Sequence, residues 1–247
     1  MVKYMNYNIR TDLAMNKNKK HTITKFYSDN IKLLEYSKNN KLFHTLYYKN
    51  LYDEKLIKDF FKNELIFFFK RLNIDNTKHI FIIGLGNESN TADSIGPRSI
   101  KYITVNSHIY NIFNNIKYPK ISALEPGVLG TTGIDTFKII ESVTKEIKPN
   151  LIILIDSFVT NKINYLNKVI EINDDGLIPG SGIYGNNIEI KKETIKVPIL
   201  VIGIPTALEY KKNNNIPLLI STNDIDDYVV KISKIIGSSI NEILYNI

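Results

Sequence analysis

From about position 80 onward the chain alternates short aliphatic runs with stretches in which apolar residues recur every three or four positions. Residues 80–84, 121–124, 151–155 and 197–204 have the length and aliphatic content of buried strands. The run 151–155 is five aliphatic residues in succession, which predicts a strand covered on both faces. Residues 169–172 and 188–192 alternate as half-exposed strands do, and the turn-rich segment 174–185 between them predicts an excursion from the sheet. Helical spacing appears over 51–72, where Leu56, Ile57, Phe60, Phe61, Leu65, Phe68 and Phe69 share a face. It returns over 136–147 and over 224–245, with Ile225, Val229, Ile232, Ile236 and Ile240 in line. Pro97 suits the first turn of a helix over 97–105. Residues 1–30 are polar and rich in Lys and Asn, with one apolar patch around Ile9 to Leu13, and predict a loosely held arm. Alternating strands and helices predict an α/β fold with a mostly parallel sheet flanked by helices.

At 247 residues the chain is long enough for one large α/β domain. With no cysteine, disulfides, thiolate nucleophiles and cysteine-bound zinc are all excluded, so any catalysis uses oxygen or nitrogen groups. The formal charge of +7 is uneven: residues 1–75 carry 15 Lys and Arg against 8 Asp and Glu, and the remainder is balanced at 17 against 17. That asymmetry reads either as attraction to nucleic acid or an acidic partner, or as drift in a chain rich in Lys throughout. No stretch reaches the ~18 apolar residues of a membrane span, and the first ten residues lack a signal-peptide core, so a cytoplasmic protein is expected. The four histidines, His21, His44, His79 and His108, show no mutual metal-ligand spacing and most are expected at the surface, and no metal or cofactor is anticipated.

Two aspartates carry the candidate chemistry. Asp93 lies in Asn90-Thr91-Ala92-Asp93-Ser94-Ile95-Gly96-Pro97, where its plainest role is an N-cap or first-turn acid. Asp156 directly follows the run 151–155, at the carboxyl end of a predicted strand, where open α/β sheets build their sites. Their separation in sequence, 156 − 93 = 63 residues, is about two strand–helix units, so neighbouring parallel strands bring both to one sheet edge. Two carboxyl groups a few ångströms apart share a proton, which yields one acid and one base. Gly84-x-Gly86 after a strand invites a dinucleotide reading, but Ser89 stands in place of the third glycine. The glycine-rich loop 125–133 presents backbone N–H groups either to a substrate carbonyl or merely to a turn.

Taken in order, Gly84-Leu85-Gly86-Asn87, Asp93 to Pro97, Pro126-Gly127-Val128-Leu129-Gly130-x-Thr132-Gly133-Ile134, Ile155-Asp156, Pro179-Gly180-Ser181-Gly182 and Gly203-Ile204-Pro205-Thr206 resemble the spore germination protease family across roughly 80–208. Arg10-Thr11-Asp12-Leu13-Ala14 resembles the segment near which that family's zymogen cuts itself. The resemblance implies an atypical aspartic-type endopeptidase that degrades small acid-soluble spore proteins in the spore core, made as a zymogen in the developing spore. It implies catalytic roles for Asp93 and Asp156, and substrate binding at Gly86, Asn87, Pro126, Gly127, Gly130, Gly133, Pro205 and Thr206. It further implies a homotetramer, a propeptide or arm over 1–15 before a single domain over 16–247, and a fold similar to hydrogenase maturation peptidases. No nucleic acid or membrane is required.

The chain departs from the family pattern in three places. It is shorter than the family, Met15-Asn16 follows Leu13-Ala14 where an acidic residue is expected, and Glu125 precedes Pro126, which predicts a third carboxylate near the pair. Two further readings stand beside the protease. One is a nickel-recognising maturation peptidase, which expects a histidine after His108 that this chain lacks; the other is a non-catalytic module that binds DNA or spore protein through the basic region 1–75.

Overall fold

The computed structural model describes residues 12–13, 23–110, 112–113, 117–179, 188–210 and 218–246. The predicted processing residues Arg10, Thr11 and Ala14, and Gly180 to Gly182 of the Pro179-Gly180-Ser181-Gly182 motif, lie outside the described residues. The chain runs through β1 (Ile23–Phe26), β2 (Ile31–Lys38), β3 (Lys41–Tyr48), α1 (Glu54–Arg71), β4 (His79–Gly84), α2 (Ile95–Ile100), β5 (Lys120–Leu124), α3 (Leu129–Thr132), α4 (Thr136–Ile147), β6 (Leu151–Thr160), β7 (Val169–Asn173), α5 (Lys192–Ile195), β8 (Ile199–Tyr210), β9 (Leu218–Ile220) and α6 (Ile225–Leu244). The strands form one sheet in the order β1-β2-β3-β7-β8-β6-β4-β5, with β9 paired to β8.

The sheet is mixed, not mostly parallel. Pairs β5–β4, β4–β6 and β6–β8 are parallel, whereas β1–β2, β2–β3, β3–β7, β7–β8 and β8–β9 are antiparallel. Part of the reason is connection length. Between Thr160 and Val169 there is room only for a turn at Ile163–Tyr165, and a parallel crossover needs a dozen or more residues. The other part is the N-terminal hairpin. Asn39 and Asn40, both at positive φ (50° and 63°), join β2 and β3 in the two-residue turn that suits such residues, and β3 then pairs with β7. The latter part of the expected arm, from Ile23, is therefore sheet.

Other expectations change as well. β7 is buried along its whole length, sandwiched between β3 and β8. Around 188–192 there is one bridge, Leu177 to Ile190, and then the short helix α5 rather than a strand. The helix expected over 97–105 is α2, which starts two residues earlier and ends at Ile100. His44 and His79 are buried rather than at the surface. The hairpin carries His44 beneath α1, where its Nδ1 meets Glu64 Oε2 at 2.6 Å, while His79 bonds Ser122 Oγ and the Ile147 carbonyl.

Helices cover both faces. On one, Phe61, Leu65 and Phe68 of α1 and Val229, Ile232, Ile236 and Ile240 of α6 pack on Ile80, Ile82, Ile153 and Ile202. On the other, Phe137 and Ile140 of α4 pack on Phe81, Ile83, Leu154 and Val201. The run 151–155 thus contributes alternate residues to each cluster, as a strand buried on both faces must. Asp53 and Asp135 accept hydrogen bonds from Leu56 N and Phe137 N and so start α1 and α4.

Candidate active site

The site is built where β4 stops and β6 continues. Gly84, the last residue of β4, pairs with Ile155, and Leu85 N donates to the Ile155 carbonyl at 2.8 Å. The chain then leaves the sheet through Gly86 at φ +114°, a conformation that favours glycine. A Cβ on Gly86 would lie 2.0 Å from the Asp93 carbonyl oxygen, so no side chain fits there. The loop closes on itself: Asn87 N donates to both the main-chain oxygen and Oδ2 of Asp93 at 3.0 Å, and Asp93 N donates to the Asn90 carbonyl at 2.8 Å. Thr206 Oγ1 of β8 donates to the Ala92 carbonyl at 2.5 Å and ties the loop to the sheet. Gly96 then lets α2 begin directly against the ends of β4 and β6, since a Cβ there would meet Leu85 O at 2.2 Å and Ile155 O at 2.5 Å. Asp93 sits in the short turn Thr91–Asp93 ahead of α2 and caps its own loop. Ser94, not Asp93, holds the N-cap position of α2.

Asp156 lies inside β6, not at its end, because the strand runs on to Thr160. It is nevertheless at a sheet edge on the β4 side, since β4 pairs no further than Ile155. On its other side it registers with Gly203 of β8. Asp156 Oδ1 accepts from Ser157 N at 2.8 Å.

Both carboxyl groups are held above the ordinary carboxylate range. Burial raises Asp93 to about 6, opposed by the hydrogen bond from Asn87. Asp156 is pushed well up, first by burial, then by the charge of Asp93 and then by that of Asp12, against the hydrogen bond from Ser157. The interaction between Asp93 and Asp156 brings together the two acids singled out in the sequence.

The third carboxylate is Asp12, not Glu125. Glu125 is exposed, and the charges acting on it are those of Glu88 and Lys101. Asp12 reaches the site from 147 residues away: its N donates to the Val159 carbonyl at 2.9 Å, and Val159 N donates to its Oδ2 at 2.7 Å. Beside it Leu13 is fully buried, in the apolar cluster that includes Leu85, Phe137 and Phe158. No local pattern announces this contact. The one legible sign is the apolar patch ending in Leu13 within an otherwise polar stretch.

The remaining expected residues divide. Gly86, Asn87 and Thr206 shape the Asp93 loop, and Pro205, within β8, lies opposite Phe158 of β6 and accepts from Asn167 N through its carbonyl. Pro126, Gly127, Gly130 and Gly133 belong to the loop and short helix after β5, the outermost strand, where hydrogen bonding is local: the Thr131 and Thr132 hydroxyls donate to the Val128 carbonyl. Among the described residues no three His, Asp or Glu side chains group to hold a metal ion.

A family profile described as germination protease matches residues 44–214. The chain is 34% identical over 181 residues to the germination protease of Priestia megaterium (strain ATCC 12872 / QMB1551), covering 72% of this chain and 47% of that protein. It is 35% identical over 181 residues to that of Bacillus licheniformis, with 72% and 47% covered, and 33% identical over 174 residues to that of Bacillus subtilis (strain 168), with 69% and 45% covered. The chain spans about half the length of these relatives.

Proposed function

The chain belongs to the germination protease family, and from that premise we propose that it is an endopeptidase whose water is activated by Asp93 and Asp156. The observation that carries the reading is the pairing of these two acids where β6 outruns β4, each with its proton affinity raised. At pH 7 a group titrating at about 6 is roughly nine-tenths ionised, whereas burial and the charge of Asp93 favour the protonated form of Asp156. One site therefore holds a base and an acid. Asp93 takes a proton from the attacking water, and Asp156 gives its proton to the departing amine. Main-chain N–H groups over 127–130 polarise the scissile carbonyl in this reading, since those of Thr131 to Gly133 are taken up by the Val128 and Leu129 carbonyls. Together these terms supply the barrier reduction of at least ~8 kcal/mol asked of any enzyme.

The substrates in this reading are small acid-soluble spore proteins, cleaved in the spore core during germination. The protein is made as a zymogen that processes itself near Arg10 to Ala14 and works as a homotetramer. Intact-mass time courses of wild type, Asp93→Asn and Asp156→Asn with an acid-soluble spore protein test it. Cleavage by wild type alone is the expected result. Cleavage by both variants removes the aspartate mechanism, and inert wild type with salt-sensitive DNA binding through 1–75 favours the binding module instead.

A further inference from the structure

Alternation along β6 sends Ile153 and Ile155 to the α1 and α6 side of the sheet, and Ile152, Leu154 and Phe158 to the α4 side. Asp156 stands between Leu154 and Phe158 in that alternation and so faces the α4 side. Its register partner on β8 is Gly203, and the pairing stays regular as far as Phe158 opposite Pro205. Gly203 has no side chain, and the place one would fill is taken by the Phe158 ring. A Cβ built on Gly203 would lie 2.0 Å from Cε2, 2.2 Å from Cζ and 2.4 Å from Cδ2 of that ring. Paired strands run about 4.8 Å apart, so these ring atoms stand about 5 Å from the Asp156 Cβ, level with it on the β8 side. Phe158 is itself buried, in the apolar cluster that includes Leu13, Leu85 and Phe137.

We propose that Phe158 is a positioning residue for the reaction: its ring, seated on Gly203, closes the β8 side of Asp156 to water and so makes this aspartate the proton donor of the pair. A hydrocarbon wall replaces the water that would solvate a carboxylate there, which penalises the charged form of Asp156 far more than the neutral one. On its other sides Asp156 meets polar groups: the Ser157 N–H of its own strand, and the charges of Asp93 ahead of α2 and of Asp12 from the N-terminal segment. β8 adds no charge at this level, since Gly203 has no side chain, and α4 contributes the Phe137 ring to the same apolar cluster. With a short side chain at 158, the bare backbone of Gly203 would leave a gap beside the carboxyl that water can enter. The proposal rests on the endopeptidase reading for its purpose, but the titration that tests it needs no cleavage.

The experiment follows the Asp156 carboxyl by carbon-13 NMR against pH in the full chain labelled at its aspartates, with Asp156→Asn to assign the signal. Phe158→Ala and Phe158→Val are compared with wild type; valine suits a strand and keeps the variant folded, but is too short to reach across Gly203. In both, Asp156 is expected to titrate lower by about one pH unit or more, a tenfold loss of proton affinity. Adding Gly203→Ala to Phe158→Val puts a methyl group into the vacated place and is expected to return part of the shift, which a general loosening of the core would not do. In cleavage assays the alkaline limb of the pH–rate profile is expected to move down with the titration, lowering kcat at pH 7 and leaving KM unchanged. An unmoved Asp156 titration in either folded variant overturns the proposal, as does a further fall on adding Gly203→Ala. A shifted titration with no cleavage by the wild-type chain keeps the role of Phe158 and refutes the endopeptidase reading, whereas cleavage with an unmoved titration does the reverse.

Discussion

Replacing Asp93 with asparagine is expected to stabilise the fold at neutral pH while removing the proposed base. Burial lifts this carboxyl from the ordinary 3.8 to about 6, so the folded protein holds a proton that the unfolded chain has released. Stability from this group is therefore greatest below about 3.8, declines as pH rises toward 6 and is level above it. At 1.36 kcal/mol per pKa unit, the ionised carboxylate costs the fold at most about 3 kcal/mol at pH 7. Asparagine has the same shape and keeps an oxygen for the Asn87 N–H, and the charge assistance it loses in that bond is already contained in the value of about 6. The gain is therefore at most about 3 kcal/mol, or up to ~6–12 °C in melting temperature for a chain of this size. Thermal unfolding followed by circular dichroism at pH 7 and pH 3.5 is the assay. The variant should melt higher at pH 7 and no higher than wild type at pH 3.5. A melting temperature at pH 7 equal to or below that of wild type would refute the claim that burial raises the Asp93 pKa.

Three further outcomes are expected. Cleavage by wild type should rise through about pH 6 as Asp93 ionises and decline at higher pH as Asp156 loses its proton, and a pH–rate profile with a fixed peptide checks both limbs. Gly86→Ala should cost about 2 kcal/mol or more in urea unfolding and lower kcat, because φ of +114° and the 2.0 Å approach of the Asp93 carbonyl both exclude a methyl group. The hydroxyls of Tyr48 and Tyr228 meet at 2.6 Å in the core. Tyr228→Phe should therefore cost about 1–3 kcal/mol by stranding its partner, while the double variant with Tyr48→Phe costs less than the sum of the singles, as a denaturation double-mutant cycle would report.

The central α/β part was legible because its signals are local. The aliphatic run 151–155 is a strand, 136–147 is a helix to the residue, and the spacing in 51–72 and 224–245 foretold α1 and α6. The N-terminal hairpin was legible in principle, since Asn39-Asn40 divides two eight-residue runs, but the Lys and Asn content around it resembles that of a loose arm. Strand direction was not legible, because it depends on whether a connection can hold a crossover and on which edge a distant hairpin joins. Burial of His44 was equally hidden, since its partner Glu64 belongs to another element.

By itself the sequence determined the strand and helix segments of the central sheet and the absence of thiol chemistry, and it put forward Asp93 and Asp156, because periodicity, composition and turn chemistry act over a few residues. Only the tertiary structure decided that the third carboxylate is Asp12 and not Glu125. A contact spanning 147 residues depends on where β4 ends relative to β6, and so on sheet register, which residue spacing does not encode.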